Sequence, residues 1–290
     1  MIAGLKSIRR MRKLNKKVIR NLYMAPYAVW IMIFVVAPIL LLLYYSFFDL
    51  HGEFSLINYQ RFFTPVYLKL MISSFWYASL ITVISLLVSY PTAYYLSKTK
   101  HKQLWLLLII VPSWVNLLLK AYAFIGIFGA YGAANNLLEW LGIGSRQLLF
   151  TDFSFVFVAV YIFVPFMILP IFNAINGLNP ALIDASNDLG ASRSTTFRRV
   201  IFPLTFEGVK IGCQVVFIPA LSLFMLTRLI AGNRVITLGT AIEQHFLVTQ
   251  DWGMGSTIAV FLILIMFITI RLTGFRKRGA RDASKSISSS

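Results

Sequence analysis

Six apolar runs, each about as long as the hydrocarbon core of a bilayer is thick, decide what this chain can fold into. They cover residues 23–48, 72–96, 104–128, 153–175, 206–230 and 256–272. About 20 apolar residues in a helix cross ~30 Å of hydrocarbon, where backbone N–H and C=O groups must be paired within the segment. The expected fold class is therefore an all-α integral membrane protein with six transmembrane helices. Composition points the same way. Of 290 residues, 58% are apolar and 13% charged, too few charges to cover a soluble domain. The first run is too long for the core of a cleaved signal peptide. The second is the least apolar, with Ser73, Ser74, Ser79, Thr82, Ser85 and Ser89 along it and Pro91 near its end. Small hydroxyl residues let helices approach closely and bond across an interface, so this helix is expected to face protein rather than lipid.

A formal net charge of +17 invites a nucleic-acid reading, which the placement of the charges excludes. Twenty of the 27 Lys and Arg residues lie in four clusters between or beyond the spans, on one side of the membrane. Residues 1–22 carry Lys6, Arg9, Arg10, Arg12, Lys13, Lys16, Lys17 and Arg20; the next clusters are Lys98, Lys100 and Lys102, then Arg193, Arg198 and Arg199, then six from Arg271 onward. The alternate loops set Arg61, Lys69, Arg146 and Arg234 against Asp49, Glu53, Glu139, Asp152, Glu243 and Asp251. By the positive-inside rule both termini are cytoplasmic. The chain divides into a basic segment at 1–22 suited to anionic lipid headgroups, a transmembrane domain at 23–275 and a basic, serine-rich tail at 276–290. On the outer side, 58–71 reads as an interfacial segment and 135–141 as a short helix. Cys213 is the one cysteine, and His51, His101 and His245 are scattered; no disulfide and no metal site is expected.

The polar stretch 179–203 stands out between two apolar runs. Asn179 can cap a short helix with Pro180 in its first turn; Ala181, Leu182, Ala185 and Leu189 fall on one face, Asp184 and Asp188 on another. Gly190 supplies the left-handed residue that closes this helix. A second short helix, 193–202, carries Phe197, Val200 and Ile201 as its apolar side and is expected to stop at Pro203. A helix-glycine-helix element at the membrane surface is shaped to be gripped by another protein. The plainer alternative is a loop whose glycine and proline only end helices.

Asp184, Ala185, Ser186, then Gly190 and Ala191, with Phe197 and Pro203 downstream, resemble the EAA loop of permease subunits in ATP-binding-cassette (ABC) importers. Asp stands where that motif has Glu, and Ser186 where it has Ala. From residue 58 onward the stretches SSFWYASLITVISLLVSYPTAYYLS, IIVPSWVNLLLKAYAF, FVPFMILPIFNAINGLNPALIDASNDLGAS and FPLTFEGVKIGCQVVFIPAL resemble the spermidine/putrescine branch of these permeases. Lys120 stands where Arg is expected in that branch. The resemblance implies a type I importer permease (MetI-like) fold in a bacterial inner membrane. It also implies a second homologous permease, two cytoplasmic ATPase subunits and an extracytoplasmic polyamine-binding protein as partners. Asp184, Ala185, Ser186, Asp188, Leu189, Gly190, Ala191, Phe197 and Pro203 would couple to the ATPase.

No G-x-x-x-x-G-K-[ST] occurs in the chain, so ATP and Mg are expected on the ATPase partner, with no cofactor and no catalytic residue here. A polyamine suits aromatic faces together with amide and carbonyl oxygens. Trp114, Asn116, Tyr122, Tyr161 and Phe166, near Pro112, Pro165 and Pro170, are the expected lining of its route. No acidic residue is expected deep in a span, which argues against an ion-coupled secondary transporter, and no nucleophile or base is placed for an intramembrane enzyme. Gln214 is expected to bond across to the partner permease, and Cys213 to pack. The competing reading is an importer permease for another small solute.

Overall fold

In the computed structural model the chain is described over residues 23–232 and 234–273. The basic segment at 1–22 and the tail at 276–290 lie outside the described residues. Apart from an isolated bridge between Phe48 and Phe54, every regular element among the described residues is helical. In order they are α1 (Tyr23–Tyr45), α2 (Ile57–Phe62), α3 (Pro65–Ser97), α4 (Lys102–Ile110), α5 (Leu117–Phe128), α6 (Ala133–Trp140), α7 (Asp152–Asn176), α8 (Pro180–Asp188), α9 (Arg193–Leu221), α10 (Met225–Leu229), α11 (Leu238–Leu247) and α12 (Trp252–Thr273). Among the described residues six helices are long and apolar enough to cross a membrane, and a shorter apolar helix, Lys102–Trp114, leads into the third.

The centre of the bundle is α3, α7 and α9. Their contact is close because α9 presents Gly208 and Gly212, four residues apart, to α7. A Cβ on Gly208 would lie 2.5 Å from the Ala174 Cβ and 2.8 Å from the Pro170 carbonyl oxygen; one on Gly212 would lie 2.7 Å from the Met167 sulfur. Without lipid-excluding hydrophobic force between helices, dispersion at such small-residue contacts holds a membrane bundle together. The serine-rich α3 faces protein, as its composition predicts. Ser74 Oγ accepts from Leu238 N–H at 2.7 Å and donates to the Leu70 carbonyl, Ser73 Oγ donates to the Ile236 carbonyl, and Ser89 Oγ donates to the Val164 carbonyl.

At one end of the bundle α12 gathers the elements that precede it. Phe62 of α2 stacks on Phe261 with ring centroids 3.9 Å apart, and Thr257 Oγ1 donates to the Ser46 carbonyl. Tyr67 Oη and His245 Nε2 are 2.9 Å apart on the neighbouring α3–α11 contact. α1, by contrast, buries none of its most apolar 18 residues.

Three expectations are corrected. The third span is not one helix: α4 runs into a tight turn at Val111–Trp114, the chain extends at Val115 and Asn116, and α5 restarts with Asn116 Oδ1 accepting from Leu118 N–H. Pro112 and the capping amide of Asn116 are the local cause. The fifth span ends at Leu221, not near Ile230, where Ser222 turns into the short α10. Pro203 does not stop a helix. It follows a wide turn at Phe197–Ile201 in which Phe202 N–H bonds to the Phe197 carbonyl, five residues back, and α9 continues through it. A proline ring would strike the carbonyl four residues earlier, and the wider turn removes that clash. α1 repeats the device, with a wide turn at Met32–Val36 ahead of Pro38.

Candidate functional site

The 179–203 stretch builds the helix-glycine-helix element from local chemistry. Asn179 Oδ1 accepts from Ala181 N–H at 3.1 Å, Pro180 occupies the first turn, and α8 closes on Gly190 at φ +73°. Gly190 N–H donates to the Asn187 carbonyl at 2.8 Å and Ala191 N–H to the Ser186 carbonyl at 3.1 Å, the paired closure that requires a left-handed residue at this position. Ser192 Oγ then caps the next helix by accepting from Thr195 N–H.

One contact joins the two helices of the element and another fixes it to the bundle. Ser186 Oγ and Thr196 Oγ1, 3.0 Å apart, tie α8 to the start of α9. Phe197 meets the rings of Tyr90 and Tyr94 on α3 edge-on, at 5.7 and 5.5 Å. Tyr90 Oη in turn lies 2.8 Å from Thr205 Oγ1 on α9. The tie through Thr196 and Tyr90 has no short-range sequence signal, because it joins residues 10 and 115 positions apart. The opposite face of α8 is left open. Asp184, Ala185, Asp188 and Leu189 are exposed, Leu189 at 88%, and neither carboxylate forms an ion pair among the described residues. An apolar side chain and two carboxylates on one exposed rim, held by a rigid base, can receive a partner surface with basic groups around an apolar pocket.

The expected lining residues are divided by the structure. Tyr161 faces a cavity of about 790 Å³ between α3, α5 and α7, whose charged linings are Asp152 at the start of α7 and Lys120. Lys120 is buried, and its Nζ donates to the Ser113 carbonyl at 3.3 Å, at the break in the third span. Trp114 and Phe166 face a second groove of about 370 Å³ between the α4 end, α7 and α9, together with Asn173, Ile211 and Val215. Asn116 serves as the cap of α5, and Tyr122 is exposed and lines neither space.

Among the acidic residues expected on the outer side, Glu243 pairs with Arg228 at 3.2 Å, and Asp251 is buried with Oδ1 accepting from Met254 N–H. Gln214 is buried inside this subunit rather than presented to a partner. Glu207, to which the sequence reading gave no role, sits in α9 between Thr205 and Gly208, exposed on the helix.

Six apolar helices of spanning length with an exposed helix-glycine-helix loop define a multi-pass membrane protein that presents a docking-shaped element at one end. Residues 85–281 match the family described as binding-protein-dependent transport system inner membrane component, and the chain belongs to that family. It is 35% identical over 251 residues to the spermidine/putrescine transport system permease protein PotB of Haemophilus influenzae, covering 83% of this chain and 88% of that one. It is 34% identical to PotB of Escherichia coli, covering 82% and 90%. The inner membrane ABC transporter permease protein YdcU of Escherichia coli is 28% identical over 80% of this chain and 78% of its own. In fold the chain is similar to a subunit of a bacterial alginate ABC transporter solved with its periplasmic protein, at a TM-score of 0.79 and 14% identity, covering 92% of this chain and 96% of that one. The protein is thus a multi-pass inner-membrane permease subunit of a binding-protein-dependent importer.

Proposed function

We propose that this chain carries polyamines, spermidine and putrescine, across the bacterial inner membrane as one half of an ATP-driven pathway. The observation that carries the reading is similarity to PotB over more than four-fifths of both chains. The partners are a second, homologous permease, two copies of a cytoplasmic ATPase that binds ATP and Mg, and an extracytoplasmic polyamine-binding protein. The 179–203 loop faces the cytoplasm, where the ATPase closes on ATP. Asp184 and Asp188 offer carboxylates to basic groups of the ATPase, Ala185 and Leu189 pack against it, and Ser186, Gly190 and Ala191 hold the angle of α8.

Motion of α8 reaches the spans by two routes: through Phe197 to α3, and through the continuous α9, where the wide turn accommodates Pro203. ATP binding moves the equilibrium between inward- and outward-open forms only by the difference in contacts the ATPase makes with each. Along the route Trp114 and Phe166 in the smaller groove and Tyr161 in the larger cavity offer aromatic faces to ammonium groups; Asn116 caps α5 and Tyr122 lines neither space, so neither is assigned a part in it.

The test is uptake of radiolabelled spermidine by the reconstituted complex, with putrescine and unrelated solutes as competitors. Asp184→Arg is expected to leave the subunit in the membrane, weaken ATPase association and abolish uptake. Undiminished uptake by that variant removes the coupling role. Competition by an unrelated solute, with no effect of putrescine, assigns the permease to another substrate.

A further inference from the structure

Glu207 is a carboxylate in a membrane-spanning helix, and it has no ion-pair partner among the described residues. Lys210, one turn on, does not neutralise it: the ammonium lies over the Phe206 ring, 5.1 Å from its centroid. A charged group at such a place is expensive against hydrocarbon and is expected to face water or a polar partner. Its helical position says which space it adjoins. Ile211 and Val215, one and two turns further along α9, line the smaller groove. The facing side of α7 contributes Phe166, Leu169 and Asn173 to the same groove, spaced by three and four residues as one helix face requires. Glu207 therefore continues the groove past Asn173, toward the end of the bundle that carries the 179–203 loop.

This face of α7 already holds an ammonium. Asn176, the next residue along the stripe, accepts from Lys102 Nζ at 2.5 Å. The larger cavity carries both signs of charge: the Lys120 ammonium sits on its wall beside Ser113, which borders both spaces, while its carboxylate, Asp152, stands at the start of α7. A polycation arriving at Ser113 meets positive charge on one side, and on the other an aromatic wall leading to an amide and a free carboxylate. Charge-assisted hydrogen bonds to that carboxylate are the strong ones available.

We propose that Asn173 and Glu207 form an ammonium station for the polyamine at the inner end of the smaller groove, making Glu207 a rate- and charge-selecting residue of transport. The proposal rests on the polyamine reading above. The experiment uses the complete transporter in proteoliposomes with ATP supplied, comparing wild type, Glu207→Gln, Glu207→Asp and Asn173→Leu with spermidine and putrescine.

Glu207→Gln is expected to lower kcat for spermidine uptake by about tenfold, the scale of one charge-assisted hydrogen bond, with KM held by the binding protein. Putrescine, with fewer ammonium groups, is expected to lose less. Glu207→Asp recovers most of the rate, and Asn173→Leu lowers it in the same sense as Glu207→Gln. A wild-type complex that moves spermidine while Glu207→Gln matches it in kcat overturns the station and leaves the polyamine function standing. Loss of the second permease from purified Glu207→Gln complex also overturns it, since the carboxylate is then a subunit contact. A wild-type complex that moves no polyamine removes both readings together.

Discussion

Gly190 gives a prediction in which conformation and volume pull in opposite directions. Its φ is +73°, and a Cβ built on it meets nothing within 4 Å. Space therefore does not restrict the residue; only the left-handed backbone does. An L-residue in that region costs about 1–2 kcal/mol, Asn and Asp less because they bond locally, and a β-branched residue more. The left-handed closure sets the direction of α8 relative to α9, so strain there lowers the population of the docking-competent loop. At 1.4 kcal/mol per tenfold, Gly190→Ala is expected to weaken ATPase association by about fivefold. Gly190→Asn should weaken it by about twofold, and Gly190→Val by more than tenfold. The assay is titration of the purified permease pair with ATPase subunits, followed by spermidine uptake with the same variants. The order Asn, Ala, Val is the signature, because Asn is larger than Ala yet less strained. If affinity instead falls with side-chain volume, so that Asn is worse than Ala, the glycine is there to admit the partner surface and the conformational argument is wrong.

Two further perturbations test the bundle. Gly208→Ala places a methyl 2.5 Å from the Ala174 Cβ, and overpacking of this kind costs about 1–3 kcal/mol; it should lower the Tm of the detergent-solubilised subunit by several degrees, and an unchanged Tm means that α7 and α9 are not held by this contact. Burial holds His245 below the ordinary imidazole pKa, with the charge of Asp251 opposing, while its Nε2 meets Tyr67 Oη and its Nδ1 lies near Thr249. A depressed folded pKa means that the unfolded chain binds the proton first, so this contribution to stability is complete above about pH 6.5 and declines as pH falls below it. Melting curves between pH 7.5 and 5.5 should show that decline, and His245→Gln should flatten it.

The sequence foretold those parts of the fold that local chemistry determines. Asn179, Pro180 and Gly190 announce the ends of α8 because capping and left-handed closure act within a few residues. The serines of α3 announce an interface because a hydroxyl in hydrocarbon needs a partner. The break between α4 and α5 was hidden because the apolar run is uninterrupted, and in a membrane segment the polar-apolar contrast that marks a boundary in soluble chains is missing. Its signal was present in Pro112 followed by the potential cap Asn116. Pro203 misled for the opposite reason: a rule for ordinary helical turns does not cover a turn one residue wider. Glu207 was legible as a residue, but its neighbours Ile211 and Asn173 acquire meaning only when α9 is laid against α7. The separation of Tyr161 from Trp114 and Phe166 into two spaces likewise follows from which helices pack together, and no spacing in the chain records it.

The wide turn at Phe197–Ile201 has a mechanical consequence. Because the helix survives its proline, α9 is a single rod of 29 residues, about 43 Å long at 1.5 Å per residue. A tilt of about 5° imposed at the Arg193 end swings the Leu221 end sideways by about 4 Å, by the geometry of a rod of that length. There Gly239, at the start of α11, presses so closely on Ser222 that a Cβ would lie 2.4 Å from its carbonyl oxygen, so α11 is the first element that such a tilt would displace.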